Sequence, residues 1–425
     1  MGEASKMCLK ALGPQEEYLL NDSTFDLGFR QYTDFSIDHV SIPFGVNPYP
    51  NTRQQIEIDP RSFKGDLISN MHLYVKLKKL SNQKTYADNI GRAIIKSYSL
   101  YVNENEIETV TSDWLVVRDQ VFLDDDEKSG ISSVINGGYS FDTDGFKTNY
   151  SRNSEPPDVE LMIPLEFFFC RRHSPYRKER DRISRPFFPI CAIKKQKVYI
   201  VIEFYDSTFY TDAGGGIDFA DQCRLVVETI TLTPEERVKY NDNFNIVINK
   251  VYKETKTELT SATGDFNITA NFPIAASFWF FRKKIYEADT VDVFDSHYEF
   301  GYTYTNDISY NFIDPFDYIS LYLNNKEVTP KIDGRNFFKF LQPINYNLST
   351  PVKEIYMYCY GVTPKEYNTG GTFDFSQVSS KSVFIKFKLN TDVVTDILQN
   401  YTFNMYHYGY NVIRFSDGYV RLAFL

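Results

Sequence analysis

Apolar residues in this chain recur at every second position, and that period decides what it can fold into. In Leu73-Tyr74-Val75-Lys76-Leu77-Lys78 the aliphatic residues alternate with Tyr and Lys, which puts one set on a core face of an extended strand and the other near water. The alternation returns in Val198–Phe204, Leu225–Leu232, Ile319–Leu323 and Val383–Leu389. Between these runs lie polar segments rich in Asn, Asp, Gly and Pro, such as Asp124–Pro157 and Asp206–Asp221, which read as long loops. The 36 Phe and 32 Tyr agree with this, because both residue types favour pleated, half-buried positions over helix interiors. Many strands joined by long loops predict a β-sandwich or barrel and exclude an all-helical or disordered chain.

Helical signals are few. Thr233-Pro234-Glu235-Glu236 offers a capping Thr, a Pro at the first helical position and a Glu able to reach back to the cap, and Thr363-Pro364-Lys365-Glu366 repeats the device. No amphipathic period follows either, so each predicts only a turn or two of helix. At 425 residues the chain has room for two or three domains. An internal likeness favours two: Ser99-Leu100-Tyr101-Val102-Asn103-Glu104-Asn105-Glu106-Ile107 parallels Ser320-Leu321-Tyr322-Leu323-Asn324-Asn325-Lys326-Glu327-Val328, about half the chain apart. Two copies of one β-sandwich, a shared hairpin chemistry or chance alone can produce such a match. The capped turn at Thr233 falls where two copies would join.

Chemical motifs are sparse. The 46 Lys and Arg against 56 Asp and Glu give a net charge of -10, which argues against a surface built as a whole for nucleic acid or anionic lipid. The five cysteines, Cys8, Cys170, Cys191, Cys223 and Cys359, are scattered, odd in number and without a CxxC pair, so they read as free thiols in a reducing compartment. No apolar run is long enough for a signal peptide or a membrane span, and Lys6 breaks the myristoylation pattern after Gly2; a soluble, non-secreted product is expected. His39, His72, His173, His297 and His407 form no HxH or HExxH motif and read as ordinary strand or loop residues. Gly214-Gly215-Gly216 lacks the Lys-Ser/Thr of a phosphate loop. Asp124-Asp125-Asp126-Glu127 and Asp142-Thr143-Asp144-Gly145 stop short of a calcium ladder, and both read as solvated loops. No cofactor or metal is expected. Sequons at Asn21, Asn149, Asn267, Asn347 and Asn400 match chance in an Asn-rich chain. The one dense basic cluster, Arg171-Arg172-His173-Ser174-Pro175-Tyr176-Arg177-Lys178-Glu179-Arg180-Asp181-Arg182, reads as an exposed loop, a subunit contact or, least of all, a nucleic-acid contact.

Several segments in order resemble the double jelly-roll major capsid proteins of nucleocytoplasmic large DNA viruses. Leu12-Gly13-Pro14-Gln15-Glu16-Glu17-Tyr18-Leu19 and Phe29-Arg30-Gln31-Tyr32-Thr33-Asp34-Phe35 are similar to that family's N-terminal arm. Gly65-Asp66-Leu67-Ile68, Ile107–Leu115 and Ile163-Pro164-Leu165-Glu166-Phe167-Phe168-Phe169-Cys170-Arg171 follow in the family's order. Leu232–Arg237 resembles its connector, and Pro364–Glu366, Gly370–Ser376 and Tyr408–Phe415 resemble its closing segments. The chain departs from the family where Gln31-Tyr32 occupies the place of the arm's second Arg, where Glu166 occupies that of the second Pro in Pro-Leu-Pro, and where the basic cluster after Cys170 is longer than the usual connection to the next strand.

The resemblance implies an all-β fold of two consecutive eight-stranded antiparallel jelly-roll β-sandwiches, with short helices in connecting loops. It implies an arm at residues 1–30, a first jelly roll at 31–234 and a second at 235–425. It further implies a structural protein and no enzyme: a homotrimeric, pseudo-hexagonal capsomer that tiles an icosahedral capsid, made in the host cytoplasm and found in the virion. The implied partners are copies of itself, neighbouring capsomers, minor capsid or penton proteins and an inner viral membrane, with no specific nucleic acid. Tyr18, Arg30, Arg171, Arg172, Arg177, Arg180 and Arg182 are the candidate inter-subunit residues. The competing expectations are a scaffold or minor capsid protein of the same fold, or a carbohydrate-binding β-sandwich whose carboxylates converge on one face.

Overall fold

The computed structural model describes residues 34–78, 80, 86, 89–135, 159–170, 186–211, 218–220, 222–255, 257–284, 314–329, 331–332, 334–365, 370–379 and 382–424. Eight strands come first: β1 (Phe35–Pro43), β2 (Arg53–Ile58), β3 (Leu67–Leu77), β4 (Ile95–Val102), β5 (Asn105–Thr111), β6 (Val159–Pro164), β7 (Val198–Phe204) and β8 (Arg224–Leu232). They make two four-stranded sheets, in the orders β1-β8-β3-β6 and β2-β7-β4-β5. The alternating runs read from sequence fall in β3, β7 and β8, and their inward residues, among them Leu73, Val75, Ile200, Ile202, Leu225 and Val227, meet in one core.

The second half repeats the plan with β9 (Phe244–Lys253), β10 (Thr263–Asn267), β11 (Pro273–Lys283), β12 (Phe316–Leu323), β13 (Lys326–Glu327), β14 (Tyr356–Cys359), β15 (Phe373–Asp374), β16 (Phe384–Leu389), β17 (Tyr401–Ser416) and β18 (Tyr419–Leu422). One sheet runs β10-β16-β12-β13. The other contains β9, β17, β11 and β14 side by side, with β15 and β18 as short additions. Counting the eight main strands of each half, the first sheet pairs strands one, eight, three and six, and the second pairs two, seven, four and five. That order, met twice, is the jelly roll.

The internal likeness marks the same hairpin in both copies. Asn103 joins β4 to β5, and Asn324 and Asn325 join β12 to β13; their φ values of 52°, 52° and 60° are left-handed, a region where Asn is among the few tolerated side chains. Each turn is tied to the segment that enters its seventh strand. Asn103 N–H donates to the Lys197 carbonyl at 2.8 Å, and Asn325 N–H to that of Ser382 at 2.9 Å. The connector also behaves as its sequence predicts. Thr233 Oγ1 caps a single short helix, Pro234–Val238, by accepting from Glu236 N–H. Buried Asp66 clamps this joint, with one oxygen on Leu232 N–H at 2.9 Å and the other on Arg237 Nε at 3.1 Å.

One expectation is corrected. The stretch from Ser112 to Ile135, part of which reads as polar loop, carries two helices: α1 (Ser112–Val121) and α2 (Asp125–Ile135). Helix α1 has no amphipathic stripe because Ser112, Asp113, Trp114, Leu115, Val116, Val117, Arg118 and Val121 are all buried, so no 3.6-residue period announces it. Asp124 opens α2 in a capping box: its Oδ1 accepts from Glu127 N–H at 2.9 Å, and Glu127 Oε2 accepts from Asp124 N–H at 3.3 Å. The acidic run is therefore a helix start and not a solvated loop.

Gly65 shows why the turn into β3 needs glycine. Its φ is +105°, and a Cβ there would lie 2.6 Å from Cβ of Thr229. Gly65→Ala should lower stability by about 1–3 kcal/mol in urea denaturation, from backbone strain and contact together. Measured against Thr229→Gly alone, which lacks that Cβ, the cost of Gly65→Ala should fall only by the part due to contact; a cost of zero there would show that φ carries none.

Candidate functional site

None of the candidate contact residues Tyr18, Arg30, Arg171, Arg172, Arg177, Arg180 and Arg182 falls within the described residues, and neither do Cys8, His173, His297, Gly214–Gly216 or Asp142–Gly145. What the described residues bring together is a seam between the two sandwiches and three buried polar clusters beside it.

Strand β11 shows how the seam arises. From Ile274 to Arg282 every residue is buried, because the strand separates two cores. Trp279 and Phe281 point into the second sandwich with Phe403 and Met405. Phe278 and Phe280 point the other way and join Tyr406 and Tyr408 in the cluster that runs into the first sandwich. Helix α1 fills this space. The Trp114 ring stacks on Tyr408 at 5.8 Å and meets Phe278 edge-on at 5.6 Å, with Phe122 and Tyr406 at 6.0 and 5.9 Å. A truncation to Ala here typically costs about 3–5 kcal/mol.

Polar contacts fix the helix lengthwise. Thr111 Oγ1 accepts from Trp114 N–H and lies 2.9 Å from the Tyr406 hydroxyl. Asp113 Oδ1 accepts from Arg282 Nη1 at 2.6 Å, both side chains nearly closed to solvent, while Lys253 Nζ stands 3.5 Å from Oδ2. Farther along, Ser349 N–H donates to the Val121 carbonyl and Ser349 Oγ to that of Leu123. Burial alone would push the Asp113 carboxyl up, but Arg282 and Lys253 hold it below its ordinary value of 3.8.

A cluster in the second sandwich has the membership of a hydrolase triad. His407 Nδ1 is 2.7 Å from Ser277 Oγ, and Nε2 is 3.2 Å from Glu254 Oε1. Its chemistry is that of a clamp. Ser277 and His407 have no exposed surface and Glu254 has 2%, so a nucleophile here could not meet a substrate. Glu254 also accepts Thr269 N–H, Ala270 N–H and the Thr269 hydroxyl at 2.7, 2.9 and 2.6 Å, which anchors the β10–β11 connection to β17. Burial raises the Glu254 carboxyl, and the His407 and Thr269 contacts outweigh it, leaving the group below its ordinary 4.5.

Two further clusters pin the connections that follow the fifth strand of each half. Arg118 Nη2 pairs with Glu166 at 3.1 Å and Nη1 with Asp119 at 3.0 Å, and Asp119 also holds Arg92 at 3.0 Å. Glu166, a departure from the family's Pro, is thus the buried partner of a cation on α1. The Phe residues after it fill the first core: Phe167 meets Tyr98 at 5.0 Å, and Phe169 stacks on Phe188 at 5.6 Å. In the second sandwich Lys339 Nζ pairs with Glu354 at 2.6 Å, and the Tyr356 hydroxyl donates to Asp314 at 2.9 Å.

Cys170, Cys191, Cys223 and Cys359 are free thiols. Burial pushes Cys191 up to about 11, which keeps it protonated and unreactive at neutral pH. Among the described residues no three His, Cys, Asp or Glu side chains are grouped to hold a metal, and no helix is long and apolar enough to cross a membrane. Sequence reasoning missed Asp113, Trp114 and Arg282. The available signal is Thr111, three residues ahead of Trp114, as a helix cap.

Asp113→Ala should cost about 3–5 kcal/mol by leaving Arg282 buried without its anion, whereas an exposed pair such as Lys388–Asp317 should contribute about 0–1 kcal/mol. Denaturant titration of both variants checks the contrast. The depressed Asp113 and Glu254 carboxyls add stability that is complete above their unfolded values, 3.8 and 4.5, and is lost as pH falls through the lower native ones. Urea midpoints should therefore drop below about pH 4.5, and less steeply in Asp113→Asn; equal slopes would contradict the assignment.

The family model for the major capsid protein N-terminus matches residues 23–252, and that for the large eukaryotic DNA virus major capsid protein matches residues 236–420. A curated relative, Probable capsid protein 4 of Acanthamoeba polyphaga mimivirus, is 26% identical over 211 residues, a match covering 46% of this chain and 36% of the relative's length. Among solved structures, the quasi-atomic model of the PBCV-1 virus capsid superposes with a TM-score of 0.72 at 17% identity, covering 95% of this chain and 100% of the other. The Faustovirus major capsid protein superposes with a TM-score of 0.66 at 12% identity, covering 97% of each chain. At these identities the likeness to the solved structures is one of fold.

Proposed function

Because the chain belongs to the major capsid protein family of large eukaryotic DNA viruses, we propose that it is a structural building block of a virion shell and not an enzyme. The observation that carries this reading is the repetition of one strand order in two sandwiches joined by a buried seam. A shell tile must keep its shape while its neighbours press on it, and two equivalent barrels in one rigid chain give three chains a nearly sixfold outline. On this reading residues 31–234 and 235–425 are the two jelly-roll domains, and the homotrimer is the capsomer of an icosahedral capsid. The chain is made in the host cytoplasm. Neighbouring capsomers, minor capsid or penton proteins and an inner viral membrane are its partners. Residues 1–30 and the Arg171–Arg185 loop, with Tyr18, Arg30, Arg171, Arg172, Arg177, Arg180 and Arg182, are assigned to contacts between subunits.

The purified chain should elute with light scattering at three times the mass of one chain; a monomer at micromolar concentration would overturn the capsomer. Removal of residues 1–30 should leave a folded trimer that forms no particles. Particles of normal yield from the truncated chain would remove the arm from assembly.

A further inference from the structure

Beyond the seam, β9, β17 and β18 share one face on which Asn245, Val247, Arg414, Tyr419 and Arg421 are exposed. Arg414 and Arg421 are directly opposite each other across the β17–β18 ladder, and the neighbour of Arg414 on the other side is Asn245 of β9. Both arginines are exposed, and among the described residues neither forms an ion pair. Like charges placed directly opposite in an antiparallel pair destabilise it, so this arrangement is a cost to the fold.

The same face continues past the arginines. Tyr419 is opposite Ser416, and Lys195, an exposed residue from the β6–β7 connection of the first sandwich, holds its Nζ 4.8 Å above the Tyr419 ring. Val247 on β9 adds an apolar position that is 39% exposed. Asp417, in the turn, is engaged by the Ser416 hydroxyl and, through its N–H, by Asn243. The strands β9, β17 and β18 themselves contain no Asp or Glu, and Arg, Tyr and an aliphatic side chain together make the composition that protein interfaces concentrate at their centres.

We propose that this face is a contact between copies of the chain, in which Arg414 and Arg421 receive carboxylates of a second copy. The proposal rests on the building-block reading and goes beyond it by naming the surface and the chemistry. The partner is a second copy because two guanidinium groups on one face call for carboxylates, and a second copy supplies them: its 56 acidic residues outnumber its 46 basic ones. Guanidinium groups donate to carboxylates in a two-pronged geometry, which fits a pair held side by side on one ladder.

Arg421→Glu tests this without threatening the fold, because it turns the repulsive Arg414–Arg421 pair into an attractive one. Its melting temperature should equal or exceed that of wild type, while association of the full chain, read by sedimentation velocity at physiological salt, should weaken roughly tenfold or more. Arg414→Gln with Arg421→Gln should weaken it in the same direction, and added salt should weaken wild type more than either variant. Wild type that associates, with both variants matching it, overturns this contact alone. Wild type that stays monomeric overturns the building-block reading and the contact with it. Binding of wild type, but not of Arg421→Glu, to phosphatidylserine vesicles or duplex DNA, with association unchanged, assigns the face to lipid or nucleic acid and overturns the proposal.

Discussion

Burial of Trp114 together with the Asp113–Arg282 ion pair determines where the second sandwich sits on the first. The apolar part supplies the energy, since a large aromatic side chain removed from water contributes several kcal/mol and here contacts residues of both halves. The ionic part adds little net stability, because desolvating two charges offsets most of their attraction. Its consequence is positional: sliding or rotating α1 would strand a carboxylate or a guanidinium in an apolar space. A seam made this way tolerates few alternative dockings.

The other buried polar groups act on the same principle at smaller scale. Asp66 holds the connector, Glu254 and His407 hold the β10–β11 connection to β17, and Lys339–Glu354 holds the segment before β14. In each case a carboxylate is placed where a loop must leave the sandwich, and it accepts backbone N–H groups or a buried cation. Long loops between short strands would otherwise be free to shift. Fastening them one by one suits a protein whose surface has to present the same contacts in every copy.

The sandwiches were largely legible in the sequence. Period-two runs such as Val198–Phe204 and Val383–Leu389 have one dry face and one less fully covered, and the paired Asn turns mark the same hairpin in each half. The seam was not legible, for the reason that makes it a seam. Pro273–Lys283 and Tyr401–Ser416 are buried on both faces over much of their length, so alternation vanishes, and α1 is buried all round, so no helical stripe survives. The capping box at Asp124–Glu127 is legible, since Asp followed three residues later by Glu is a helix-start pattern, but four consecutive acids equally resemble the opening of a calcium ladder. The contact residues assigned by resemblance sit at 1–30 and 171–185, beyond the described residues, whereas the Arg414–Arg421 pair emerges only from strand register.

The chain's 2 tryptophans report on different cores: Trp114 on the seam and Trp279 on the second sandwich. Urea unfolding followed by fluorescence in Trp114→Phe and in Trp279→Phe, compared with circular dichroism of the same samples, tests whether the seam makes the two sandwiches one cooperative body. Coincident fluorescence and dichroism transitions within each variant are the predicted result. A Trp114 signal lost well before the Trp279 signal and the bulk of the β structure would show two barrels that merely touch.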